Sequence, residues 1–156
     1  MKAKIYPSQI ASGNILIPPS KSLAHRAIIC ACLARGKSII SNIDYSVDIR
    51  ATIEGMQHLG ADIQENGNTL FIDGTHTFQY DNNIVDCHES GSTLRFFLPL
   101  FSLTGRKATF SGSKRLIDRP QNVYEQLFQE QGIHFVREYP NITIDGKLKP
   151  GELTLK

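Results

Sequence analysis

With 156 residues, 40% of them hydrophobic, the chain is long enough to bury the core of one ordinary domain. A net charge of +2, a pI near 8.5 and the lack of any Lys/Arg run exclude a surface built to track a phosphate backbone, so nucleic acid is not an expected partner and any anion site must be local. No apolar run reaches the roughly 18 residues a membrane helix needs, and Met1–Tyr6 lacks the apolar core of a signal peptide, so a cytoplasmic chain with no membrane partner is expected.

In chain order, Lys2–Tyr6 and Gly13–Ile17 read as short strands separated by Pro7-Ser8. Pro18-Pro19 can continue neither a ladder nor a helix, and Ser20 is a good N-cap, so a helix is predicted from about Lys21. Its inner face reads as Leu23, Ala27, Cys30, Ala31 and Ala34, closing on a basic turn and Gly36. Lys37–Ser41 is a β-branched run. Ser46 opens a second helix with Ile49, Ile53, Met56 and Leu59 inward, ended by Gly60. Residues 61–64 and 69–73 read as a hairpin across Glu65-Asn66-Gly67-Asn68. The three cysteines, Cys30, Cys32 and Cys87, show no metal or disulfide spacing and read as small core residues.

After a loop over 75–83 the same order returns. A strand is predicted at Ile84–Cys87, a helix opened by Ser90-Gly91-Ser92-Thr93 and closed at Gly105, and a strand at Lys107–Phe110. Then come a helix over Pro120–Gln131 with Val123, Leu127 and Phe128 inward, a Gly132 cap, and a hairpin of 134–137 with 141–145. Gly60 and Gly132 lie 72 residues apart, as do Gly74 and Gly146, while Ser22 and Ser92 lie 70 apart. The fold class is therefore α/β, a tandem β-α-β-α-β-β repeat, with an N-terminal segment over 1–13, a first unit over 14–80 and a second over 81–156.

The chemistry collects at the helix starts. Unpaired N–H groups and the positive end of the helix dipole favour an anion there, and the first helix adds Lys21, Ser22 and, one turn on, Arg26, which form either an anion site or the solvated charges of an ordinary capped surface helix. In the second unit Gly91 either lets a backbone N–H approach an anion closely or only eases a turn. Arg119, just before Pro120 at the expected first position of a helix, either grips a phosphate bidentately or pairs with Asp118 at the surface. Asp48 reads as a first-turn acid of its own helix. No nucleotide loop or metal spacing is present, so no cofactor and no metal are expected.

Three segments taken together, Pro-Ser-Lys-Ser-x-x-x-Arg at 19–26, Glu-Ser-Gly-Ser-Thr-Leu-Arg at 89–95 and Leu-x-x-Arg-Pro at 116–120, resemble the 5-enolpyruvylshikimate-3-phosphate synthase family. The resemblance runs over the whole chain. It implies one part of a two-domain enzyme, an incomplete inside-out α/β barrel-like domain, that moves the enolpyruvyl group of phosphoenolpyruvate onto the 5-hydroxyl of shikimate 3-phosphate. On that resemblance Lys21 lies between the substrates as the catalytic cation. Ser22 and Arg26 hold the shikimate carboxylate, and Gly91 with Arg119 holds the phosphate of phosphoenolpyruvate. His88-Glu89, where many members have Gly-Asn, and Gln121, where a more apolar residue is common, depart from the pattern.

The same resemblance places the acid-base carboxylates and the segment that grips the shikimate phosphate outside these residues, so the chain alone is expected to be inactive and to self-associate, the full-length protein being a monomer. Three other readings stand beside it. One is the sister transferase acting on UDP-N-acetylglucosamine, which has Lys-Asn where Lys21-Ser22 stands and a cysteine before the Arg-Pro pair. The others are a non-catalytic module that captures phosphorylated ligands and an RNA 3′-phosphate cyclase relative.

Overall fold

The computed structural model describes residues 2–4, 6, 12–79 and 83–152. The Pro7-Ser8 break, Ile5 of the first expected strand, and residues 80–82 of the expected loop lie outside the described residues.

The elements are α1 (Lys21–Leu33), β1 (Lys37–Ile40), α2 (Val47–His58), β2 (Asp62–Asn66), β3 (Thr69–Asp73), β4 (Ile84–Asp86), α3 (Gly91–Ser102), β5 (Ala108–Ser111), α4 (Lys114–Ile117), α5 (Asn122–Gln131), β6 (His134–Glu138) and β7 (Asn141–Asp145). They build two sheets. In the first the order is β1-β3-β2, all antiparallel. In the second it is β4-β5-β7-β6, with β4 parallel to β5 and the rest antiparallel. The run β5-β7-β6 thus repeats β1-β3-β2, as the α/β tandem pattern leads one to expect.

The predicted strand at Gly13–Ile17 is corrected: these residues join no ladder among the described residues, and Ile15, Leu16 and Ile17 are 86%, 97% and 81% exposed. A strand needs a neighbour to pair its backbone groups. An apolar triplet reports that such a run wants cover without saying from where. Lys2, Ala3, Lys4 and Tyr6 also join no ladder.

Each sheet keeps one face dry. Leu70 and Ile72 of β3 and Ile142 and Ile144 of β7 are buried, while Phe71 between the first two is 42% exposed. Burial of each such side chain stabilises by roughly 1.5–3 kcal/mol over leaving it in water. The helices lie on those dry faces, and Phe97, Phe101 and Phe110 form the shared centre, with ring centroids 5.5 and 5.2 Å apart. Gly55 lets α2 approach α3 there, since a Cβ on it would overlap the Phe97 ring.

Three local readings are revised. The hairpin turns on Gly67-Asn68 alone, because Asn66 pairs with Thr69 and Gly67, at φ 58°, takes the first central place of a two-residue turn. The first helix ends at Leu33, short of the basic turn, and buries Ala24, His25, Ile28, Ile29, Ala31 and Cys32, leaving Leu23 and Cys30 outside. Pro120 precedes α5 rather than starting it: Asn122 is its first residue, Gln121 its N-cap, and Val123 is 46% exposed. The Gly132 cap is left-handed, φ 70° and ψ 24°, the conformation that favours glycine at a helix end.

Candidate functional site at three helix starts

Serine caps define the local geometry. Ser20 Oγ accepts from the Leu23 N–H and Ser46 Oγ from the Ile49 N–H, both at 3.4 Å, and Ser90 Oγ accepts from the Thr93 N–H at 3.2 Å. Each hydroxyl satisfies one of the donors that a helix start leaves without an intrahelical partner, and at α2 and α3 the cap N–H of Ser46 and of Ser90 is also taken, by the Asp44 and Cys87 carbonyls. Cross-links bring the three starts to one end of the molecule. Lys21 Nζ donates to Asp48 Oδ2 at 2.6 Å, joining α1 to α2. The Thr93 hydroxyl donates to the Asp48 backbone carbonyl at 3.4 Å, joining α2 to α3. The Arg26 guanidinium lies over the Phe96 ring of α3 at 5.3 Å.

The loop after β5 delivers the remaining cation. Gly112 N–H donates to the Pro140 carbonyl at 3.2 Å and Ser113 N–H to the His88 carbonyl at 2.7 Å, tying this loop to the turn that precedes α3. Ser113 then caps α4 through the Leu116 N–H at 3.3 Å, and buried Leu116 anchors the short helix. Arg119 emerges half-buried beside α3, and a Cβ on Gly91 would stand 2.7 Å from its Nη1. Its carbonyl accepts from Arg137 Nη1 at 3.2 Å. Asp118, the alternative partner for Arg119, is held instead by Lys114 at 3.0 Å.

Among the expected site residues, Gly91 and Arg119 are therefore neighbours, and Lys21 reaches the start of α3 through Asp48. Ser22 and Arg26 share one turn of α1, where Arg26 Nη1 donates to the Ser22 carbonyl at 2.8 Å. Lys21, Arg26 and Arg119 add positive charge to helix ends that are already electropositive, and Asp48, in the first turn of α2, pairs with Lys21. The geometry suits an anion carrying more than one oxygen. Among the described residues no cluster of three or more His, Cys, Asp or Glu is placed to hold a metal ion, and no helix is long and apolar enough to cross a membrane.

Sequence reasoning passed over two features. The four residues of α4 are too few to show a period. His25, buried in α1, makes a short contact with Thr52, 27 positions away, and no spacing rule connects such a pair. Burial depresses the pKa of His25; Asp48 opposes this while Lys21 and Arg26 add to it, so its imidazole is neutral at neutral pH.

The order β1-β3-β2 repeated in β5-β7-β6, with helix starts and cations gathered at one end, defines an α/β protein built on a tandem unit. A solved EPSP synthase from Acinetobacter baumannii superposes with a TM-score of 0.74 at 20% identity, covering 86% of this chain and 32% of that one. The family model described as EPSP synthase (3-phosphoshikimate 1-carboxyvinyltransferase) matches residues 5–155, and the chain belongs to that family. It is 47% identical over 158 aligned positions to the 3-phosphoshikimate 1-carboxyvinyltransferase of Clostridium perfringens strain SM101, and 43% identical over 165 to that of Clostridioides difficile strain 630. These alignments cover 99% and 98% of the chain, which spans only 37% and 38% of the relatives' lengths.

Proposed function

We propose that this chain supplies the phosphoenolpyruvate site and part of the shikimate 3-phosphate site of an enzyme that transfers the enolpyruvyl group between them and releases phosphate. The observation that carries the reading is the placement of Arg119 Nη1 against Gly91, at the first turn of α3. A phosphate there meets first-turn N–H groups that a side chain would otherwise shield, together with a guanidinium able to bind it through two parallel hydrogen bonds.

The 5-hydroxyl gives up its proton as its oxygen bonds to C2 of phosphoenolpyruvate, while C3 takes a proton and becomes a methyl group. Loss of one methyl proton and of phosphate then restores the double bond. Negative charge grows on the departing phosphate, and Arg119, the α3 start and Lys21 are the groups here that stabilise it. Lys21, held by Asp48, is assigned the place between the substrates, and Ser22 with Arg26 the shikimate carboxylate. The chain's part is thus positioning and charge stabilisation, in a cytoplasmic enzyme. Against the sister transferase on UDP-N-acetylglucosamine stand Ser22 after Lys21 and the lack of cysteine anywhere in 112–119.

The test is a nuclear magnetic resonance titration of the chain with phosphoenolpyruvate and, separately, with shikimate 3-phosphate. Phosphoenolpyruvate is expected to shift the amides of Gly91 and Ser92, and shikimate 3-phosphate those around Ser22 and Arg26. Shifts from phosphoenolpyruvate that avoid α3 altogether would overturn the assignment.

A further inference from the structure

Four side chains buried between the helix starts form one continuous run. His25 Nδ1 lies 2.7 Å from Thr52 Oγ1, Thr52 Oγ1 lies 2.7 Å from Thr93 Oγ1, and Thr93 Oγ1 lies 2.7 Å from Ser90 Oγ. All four residues are at most 1% exposed. The run crosses from α1 through α2 to the N-cap of α3, the residue before Gly91.

Its proton placement has a direction. A neutral imidazole and three hydroxyls carry one proton more than the three links use. If the ring carries its proton on Nε2, every hydroxyl must point toward His25, and the Nε2–H is left buried with no acceptor among the described residues. If the proton is on Nδ1, the ring donates to Thr52 and Thr52 to Thr93. Thr93 then donates to the Asp48 carbonyl, 3.4 Å away, and accepts from the Ser90 hydroxyl at 2.7 Å. All four donors are then paired, and only the bare ring nitrogen Nε2 is left without a partner among the described residues. An orphaned buried donor is the rarer of the two outcomes in folded proteins.

We propose that His25, as the Nδ1–H tautomer, heads a hydrogen-bond run through Thr52 and Thr93 to the Asp48 carbonyl, which the Ser90 hydroxyl joins at Thr93, and is a positioning residue for the anion site at the first turn of α3. The proposal rests on the phosphoenolpyruvate reading above. The run holds α3 in place against α1 and α2 from inside, and fixes the Ser90 cap beside Gly91. Because the links are in series, loss of any one should remove the same effect.

The test uses the chain with nitrogen-15-labelled histidine, and the variants His25→Asn, His25→Leu, Thr93→Val and the pair His25→Leu with Thr93→Val. The nitrogen shifts of His25 at pH 8 should report a proton on Nδ1. A proton on Nε2, or a doubly protonated ring, overturns the proposal whatever the ligands do. In titrations read at the Gly91 amide, His25→Leu and Thr93→Val should each weaken phosphoenolpyruvate by roughly fivefold, the worth of one net hydrogen bond. The pair should be no weaker than either alone, and His25→Asn, which keeps a donor at the place of Nδ1, should match the parent. Shikimate 3-phosphate affinity should stay within about twofold in all of them. Equal losses for both ligands, or additive losses in the pair, would mean general loosening and overturn the proposal. If His25→Leu fails to fold, Thr93→Val and the tautomer decide. If the unmodified chain shows no phosphoenolpyruvate shift at Gly91, the functional reading falls and takes the positioning role with it, while the tautomer still settles the direction of the run.

Discussion

Arg119 Nη1 stands 2.7 Å from the point where a side chain on residue 91 would begin. Gly91→Ala therefore forces the guanidinium aside, and because that obstruction is the far end of a flexible side chain, the fold should tolerate it. Stability is expected to change by no more than about 0.5 kcal/mol. Phosphoenolpyruvate affinity should fall by about tenfold through loss of a charge-assisted contact, with shikimate 3-phosphate nearly untouched. Thermal unfolding and ligand titration of one variant check both halves.

Deleting the cations should separate the two substrates. In the full-length enzyme Arg119→Ala should reduce kcat/KM for phosphoenolpyruvate by on the order of 2–4 kcal/mol of transition-state binding, since a developing phosphate charge loses a bidentate partner. Arg26→Ala should act mainly on shikimate 3-phosphate. Steady-state kinetics with each substrate varied in turn distinguishes them, and a Arg119→Ala effect confined to shikimate 3-phosphate would contradict the assignment.

Gly55→Ala should be a costly glycine substitution. Its Cβ would overlap the ring of Phe97, which is 0% exposed and braced by Phe101. Neither α2 nor the ring has room to retreat, and overpacking of this kind destabilises by roughly 1–3 kcal/mol. Urea unfolding of the variant against the parent measures it directly.

His25 should make the fold sensitive to mild acid. Its pKa in the folded chain is depressed from 6.5, chiefly by burial, so the unfolded chain binds the extra proton more readily. The stabilisation is complete above pH 6.5 and is lost as pH falls from there through the lower folded-state value. Of the charged groups that bear on the ring, Asp48 opposes the shift and Lys21 and Arg26 add to it. Urea midpoints should drop between pH 7.5 and pH 5 in the parent and drop less in His25→Asn. Parallel profiles would show that another group titrates.

Thiol labelling should count one cysteine. Cys30 is exposed, whereas Cys32 and Cys87 are buried and their thiols are pushed up to about 12 by burial, so neither offers thiolate at neutral pH. A disulfide-exchange reagent at pH 8 is expected to react quickly with one thiol per folded chain and with three after unfolding. Fast reaction of two thiols would place Cys32 or Cys87 at the surface.

The residues at each helix start determine that start by themselves. Ser20, Ser46 and Ser90 cap α1, α2 and α3 as their side-chain chemistry dictates, because a cap is a hydrogen bond to an amide three residues away and needs nothing more distant. The hairpins and the 72-residue echo are legible for the same reason: alternation and turn glycines are local. Tertiary structure alone decided the rest. The sequence of α1 is apolar on several sides, so its neighbours chose its inner face, turning His25 in and Leu23 and Cys30 out. Pairing is likewise a property of two segments, and Ile15–Ile17, however strand-like in composition, join no ladder among the described residues. Motif resemblance pointed to Gly91 and Arg119 separately, but their contact depends on a loop tied down at His88 and Pro140 and on a helix of four residues. The run from His25 to Ser90 spans 65 positions of sequence, and only packing of three helices against one another brings its hydroxyls within 2.7 Å.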